Sequence, residues 1–415
     1  MVGTALGVVA TGSTDVPFTV LFLGCVAAGT ILGTASGLIP GLHANNFALL
    51  LAAFAPGLAI DPLLVGTIVI TAGVVHTFLD IVPALALGVP DASMAIAALP
   101  GHRLVLAGRG REALRLSAIG SALAVAIAVP LSFPITWVMV RAYPTLMNHL
   151  PIVLGLVVAF LVLTEPSRLT AIVGLLAFLT SGVLGALTLD VSPAAPLGSG
   201  EMLTPLLTGL FGAPILIDAI DGRGVPPQGS ATITMPKRDL GFVASAGSIA
   251  GAIVGYLPGV SAAIASVIAL PAVPTRDVDR GFVVVTSGAN TANAVFALFA
   301  LVAIGAPRTG VMVAVDRIGT PLVLSILLSA VALAAIAGAV AVVTIGDRYL
   351  QVVGRMDYAR ISIAVLGLLV LLSYLFSGWF GVLVFAVATL VGLIPPRFSA
   401  KRVHLMGVLI GPLMM

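Results

Sequence analysis

Long apolar runs alternate with short polar breaks along the whole chain. Runs suited to spanning a bilayer fall near residues 17–39, 62–88, 113–141, 151–164, 168–189 and 203–220. A second set lies near 241–257, 281–305, 319–345, 360–376, 377–395 and 403–415. About 20 apolar residues in a helix cross the hydrocarbon core. Two shorter runs, 45–58 and 261–273, cannot cross alone and are expected to be re-entrant or half-helical. The stretch 222–240 breaks the pattern with Pro226, Pro227, Gly229, Lys237 and Arg238. It reads as a linker between a first membrane half, 1–221, and a second, 241–415.

The two halves repeat each other. Gly29, Gly33, Gly37, Pro40 and Gly41 correspond to Gly247, Gly251, Gly255, Pro258 and Gly259, each pair 218 residues apart. Gly88, Pro90 and Asp91 correspond to Gly305, Pro307 and Arg308 at a separation of 217. Gly209 and Pro214, closing the first half, match Gly407 and Pro412, closing the second. Internal repeats in a polytopic chain mark secondary transporters, whose sites form where broken helices of the two halves meet. The fold class expected is all-α: a polytopic membrane protein of two structural repeats, inverted, with re-entrant or broken helices.

Composition sharpens this picture. Of 415 residues, 60% are hydrophobic and 8% charged, against about 25% charged in a soluble domain. Mean hydropathy is +1.21. The chain therefore faces lipid over most of its surface. The net charge of +3 is too thinly spread for nucleic-acid binding and is better explained by basic cytoplasmic loops. The densest of these, with Arg103, Arg109, Arg111 and Arg115 inside 101–115, is expected on the cytoplasmic side of the cell membrane. The first apolar run is longer than a signal-peptide core and reads as a retained span. The lone Cys25 has no disulfide or metal partner.

Candidate chemistry gathers at the repeated breaks. The glycine stripes read as helix-packing faces, but Pro-Gly opens a helix and frees backbone groups. Such groups are tolerated in a membrane where they line a cavity. His43, Asn45 and Asn46 follow the first break and Ser261 the second, beside opened helix ends suited to an ion or an anionic group. The alternative is a plain extramembrane turn. In TSGANTANAVF, Asn290 and Asn293 share a helix face and, with Ser287, form a polar patch inside a span. It reads as a ligand or cation contact, or else as polar glue between helices. Asn carbonyls suit hard cations such as sodium. His76 and Asp80 lie one turn apart as a proton relay, a partial metal site or a structural pair. Asp91, with Ser93 after it, and Arg308, with Thr309 after it, stand at equivalent breaks. They either flank a permeation route or sit solvated at opposite surfaces. No nucleophile elbow, carboxylate pair or phosphate-binding loop is present, so an enzyme is not expected.

On these residues the chain resembles a known family. The stretch from Gly37 through Asn45 and Asn46, the block GVPDASMAIAALPGHRLVLAGRGREAL, and the second-half runs GYLPGVSAAIAS and SGANTANAVFALFALVAIGAPRTG are similar to the large membrane permease subunit of tripartite tricarboxylate transporters. Asp91-Ala-Ser93 stands where that family's pattern has Gly-Thr-Pro, which marks a divergent, stand-alone member. The resemblance implies a cation-coupled importer of organic carboxylates, working with a small membrane subunit and a soluble substrate-binding protein. The expected function is secondary transport of a di- or tricarboxylate, coupled to Na+ or H+ and with no other cofactor. Homo-oligomerisation is open. The alternatives are a lipid-linked phosphate carrier and an intramembrane enzyme using His76 and Asp80.

Overall fold

The computed structural model describes residues 16–40, 42–57, 60–88, 98–197, 202–220, 225–269 and 278–415. Of the positions singled out above, Gly41, Pro90, Asp91, Ser93 and the side chain of Asn46 lie outside it. Among the described residues there are helices and turns but no strand, and eight helices are long and apolar enough to cross a membrane.

Two central elements organise the rest. The first is α3 (Pro62–Leu79) continued by α4 (Ile81–Leu87); the second is α13 (Val278–Ile304). Their most apolar stretches are 89% and 72% buried, against 22% for the peripheral α1 (Phe18–Gly37). In lipid, helices gain little from apolarity alone, so association depends on close packing by small residues. The glycine stripes provide it. Gly29, Gly33 and Gly37 of α1 seat on Thr71, Val75 and Leu79 of α3. Gly247, Gly251 and Gly255 of α11 (Lys237–Tyr256) seat on Val285, Ala292 and Phe296 of α13. A methyl group on Gly247 or Gly251 would lie 2.9 Å from a backbone carbonyl oxygen of α13.

Each pair is then clasped by a long helix from the other half. The α1–α3 pair packs on α15 (Leu324–Val353), where Gly338 meets Phe78. The α11–α13 pair packs on α6 (Gly110–Asn148), where Gly120 meets the backbone of Val284. The closing elements cross over in the same way. The run 203–220 is not one regular helix: α9 (Leu203–Leu207) and α10 (Ala213–Ala219) flank a π-helical turn at Thr208–Gly212, and the whole packs on α16 (Tyr358–Gly392). The 3-10 turn Arg402–Met406 and α18 (Gly407–Met414) pack on α8 (Arg168–Thr188). The runs at 360–376 and 377–395 meet within α16 at Gly378, whose φ of 62° and ψ of −162° break the helix.

One end of the molecule differs from expectation. The basic segment 101–115 is not a loop: α5 (Ala98–Leu106) and the start of α6 occupy it, with a tight turn at Gly108 (φ +75°). Three of its arginines pair with carboxylates, while Arg115 donates to Ala231 O and, like Arg103, stays exposed. Arg103 pairs with Asp279, Arg109 with Glu112 at 2.7 Å, and Arg111 with Asp347 at 2.6 Å, while Arg280 reaches Glu112 at 3.0 Å. Thr234 donates to Glu112 through both its backbone N–H and its hydroxyl, each at 3.1 Å, and Gly110 N–H donates to Gln228 Oε1 at 2.6 Å. The segment 225–236 is thereby moored to the α5–α6 corner, and α11 begins at Lys237.

Candidate functional site

The repeated breaks face a common space. Helix α1 ends at Gly37, and α2 (Ala44–Phe54) restarts after Pro40, with His43 Nδ1 accepting from Asn45 N–H at 3.1 Å. Helix α11 ends at Tyr256, and α12 (Ala262–Ala269) restarts after Pro258 and Gly259. The φ of Gly259 is +81°, a left-handed conformation natural to glycine. Ser261 Oγ accepts from Ile264 N–H at 3.3 Å and so caps α12. A third restart follows α13. Gly305 (φ +68°) ends that helix, and Thr309 caps α14 (Gly310–Arg317) by accepting from Met312 N–H at 3.2 Å. Gly88 (φ +67°) ends α4 in the same left-handed way.

A cavity of about 680 Å3 opens between these restarts. His43 and Asn45 at the start of α2, Gly259 and Ser261 before α12, and Arg308 and Thr309 before α14 all line it. So do Asn290 and Asn293, near the middle of α13, and Asp80, at the α3–α4 junction. Three helix N-termini therefore border one space. Each carries partial positive charge from its aligned peptide dipoles. Asn45 ties two of them together, because its Oδ1 accepts from Gly310 N–H at 2.8 Å.

The polar groups inside are of two kinds. Asp80, 3% exposed, accepts from Asn290 Nδ2 at 2.7 Å. Asn293 Oδ1 is buried without a hydrogen-bond partner. These oxygens form an acceptor-rich wall. Arg308, by contrast, brings donors only, and its Nε is buried without a partner. Its guanidinium lies 4.8 Å from the ring centre of Tyr143, on α6.

Other sequence candidates fall elsewhere. Ser287 donates to Ser117 Oγ at 2.8 Å and faces α6 as polar glue between helices. His76 lies 2.9 Å by Nδ1 from Ser36 Oγ on α1 and does not line the cavity. Neither do Pro40, Gly88, Gly305 or Pro307, which shape the backbone around it. Among the described residues no three His, Cys, Asp or Glu side chains group as a metal site. Sequence reasoning missed Tyr143, Asp190, Ser192 and Thr77, of which the last three line the cavity. The pairing of Asp80 with Asn290 was also missed. Only their common polarity inside apolar spans signalled it.

A bundle of helices long and apolar enough to cross a membrane, with a cavity bordered by broken helices and lined in part by polar side chains, has the form of a membrane transporter. The chain matches the model of the Tripartite tricarboxylate transporter TctA family over residues 23–407, and it belongs to that family. The family comprises the permease components of systems that work with further subunits. The chain is also similar to an uncharacterized protein of Methanocaldococcus jannaschii, 28% identical over 397 residues that cover 92% of this chain and 96% of the relative. No solved structure matches.

Proposed function

We propose that the protein is the permease of a secondary transport system, moving a small organic carboxylate of the di- and tricarboxylate class through the cavity and driven by a co-transported cation. The observation that carries this reading is the convergence of three helix N-termini and Arg308 on one space. That arrangement favours an anion. The Asp80, Asn290 and Asn293 oxygens on α3–α4 and α13 supply the opposite preference, for a hard cation such as Na+ or for a proton on Asp80. The similarity of the α1–α3 and α11–α13 packings supports two halves related by inversion, which would alternate access around the cavity. A small membrane subunit and a soluble binding protein would deliver the substrate.

The test is uptake into proteoliposomes. The full chain is reconstituted with imposed Na+ or pH gradients and offered labelled lactate, succinate and citrate. Gradient-dependent accumulation of at least one is expected. Equilibration without any gradient dependence would overturn secondary active transport.

A further inference from the structure

The bundle has two ends, and the basic residues are shared unequally between them. At one end lies the α5–α6 corner, which Asp279, Arg280 and Asp347 join to the start of α13 and the end of α15. The moored segment 225–236 brings the start of α11 there, and with it Lys237 and Arg238. Arg348, Arg355 and Arg360 stand around the turn between α15 and α16. Asp218, at the end of α10 shortly before the moored segment, receives Arg402 at 3.5 Å. Lys401 donates to Thr164 O, just ahead of Arg168 and α8, and Arg397 shortly precedes it. Of the chain's 19 Lys and Arg, Arg141, Arg308 and Arg317 are the described ones that stand away from this end. Arg223 and Arg276 lie outside the described residues, and placing both at the other end would leave the imbalance in force. Lys and Arg beside the ends of spans are retained in the cytoplasm, and accompanying acids change this little.

The cavity opens at the other end. Among the described polar residues that line it, Asp190, Ser192 and Arg317 are exposed. Asp190 follows α8, whose start is beside Lys401; the 21 residues of that helix span about 30 Å. Arg317 closes α14, which runs along α3 towards its beginning: Val311 meets Gly73, and Thr320, just beyond Arg317, meets Gly66. The opposite end of that element is α4, and there His102 of α5 reaches Leu85 O. On the corner side the cavity meets Met406, which is buried and receives Ser261 Oγ at Sδ across 3.7 Å. Met406 follows His404, held 2.8 Å from Glu165 at the basic end.

We infer that the cavity opens to the extracytoplasmic side, and that this structure is the state in which the protein takes up its ligand from outside the cell. The α5–α6 corner and its ion pairs then lie on the closed, cytoplasmic side. The sidedness follows from charge and geometry; that the entrant is a carboxylate rests on the transport reading above.

Single cysteines in the full chain with Cys25→Ser test it. Right-side-out and inside-out membrane vesicles are treated with a small membrane-impermeant methanethiosulfonate, and modification is read by mass spectrometry. Ser192→Cys marks the mouth and Arg355→Cys the basic end. Ala44→Cys and Ala294→Cys mark half-buried positions of the cavity lining on α2 and α13. Ser192→Cys, Ala44→Cys and Ala294→Cys are expected to react in right-side-out vesicles, with the reaction lost in inside-out ones. Arg355→Cys should do the opposite. Arg355→Cys reacting from outside would overturn the orientation. With Ser192→Cys reacting from outside, reaction of both inner positions from inside, from both sides equally or from neither would overturn the open state. Gradient-driven uptake alongside any of these failures would leave the transport reading standing. The expected labelling without such uptake would keep the sidedness and remove the transport reading.

Discussion

Asn290 donates to the buried carboxylate of Asp80 at 2.7 Å, and the consequence of its removal follows directly. Asn290→Ala leaves that acceptor short of a partner, a loss of about 1–3 kcal/mol. The concentration of coupling cation needed for half-maximal uptake should shift by roughly five- to 150-fold, with expression unchanged; an unaltered cation dependence would take Asn290 out of the site. His102, on the short helix α5, gives a pH prediction. Burial pushes its imidazole below the usual histidine value, only partly offset by Nδ1–H donation to Leu85 O at 2.7 Å. The folded state then binds fewer protons than the unfolded one, so stability falls as pH drops below the ordinary value of about 6.5. In His102→Gln the thermal midpoint in detergent should decline less between pH 7 and 5.5 than in the native protein. At this scale the sequence was informative where polarity stood out against apolar surroundings, as at Asn290 and Asn293. It was silent about Tyr143, an ordinary aromatic in an apolar helix, because its significance arises only from the approach of Arg308, 165 positions away in the chain.

Helix breaks are legible because the chain writes them twice. Pro-Gly after a glycine stripe forecasts the α11–α12 interruption, and Gly259 adopts the left-handed conformation that such a break requires. Gly259→Ala would be strained by about 1–2 kcal/mol in the backbone, and its new methyl would stand 2.6 Å from Leu413 Cδ1. Reduced uptake and a lowered thermal midpoint are expected. The stripes themselves yield a contrast. A methyl at Gly251 would meet Ala292 Cβ at 2.6 Å and backbone at 2.9 Å, whereas one at Gly367 would meet nothing within 4 Å. Gly251→Ala should therefore impair assembly, and Gly367→Ala should be neutral or slightly stabilising. Equal behaviour of the two would mean that close packing of α11 on α13 is dispensable. The α5–α6 corner was the element least readable from sequence. Its four arginines resemble a solvated loop until Asp279 and Asp347 arrive from distant helices to pair with two of them. Residue counts in one segment carry no information about acids supplied by another.

Over the whole molecule, the halves visible in the sequence are not separate lobes. The central pair of each half is held by the long helix of the other, and the closing turns cross over as well. Sequence periodicity located nearly every span but could not foresee this exchange, since apolar faces carry no address. The exchange also constrains movement around the cavity. The Asn45–Gly310 hydrogen bond and the packing around it tie α2 to α14 across the two halves.

The interleaving has a further consequence, for how the protein is made. Synthesis runs from the N-terminus, so α3 enters the bilayer long before α15, its clasp, has been translated. Until then the face of α3 that will receive Gly338 is open to lipid or to whatever chaperones the nascent chain. The first half is thus an unfinished object that waits for the second, and neither should persist alone. Residues 1–221 and 222–415, produced as separate chains, should each be degraded when expressed singly and recovered as a stable complex when expressed together. Pulse-chase lifetimes would decide it: a long-lived first half on its own would mean that its surfaces are already satisfied before the clasp is born.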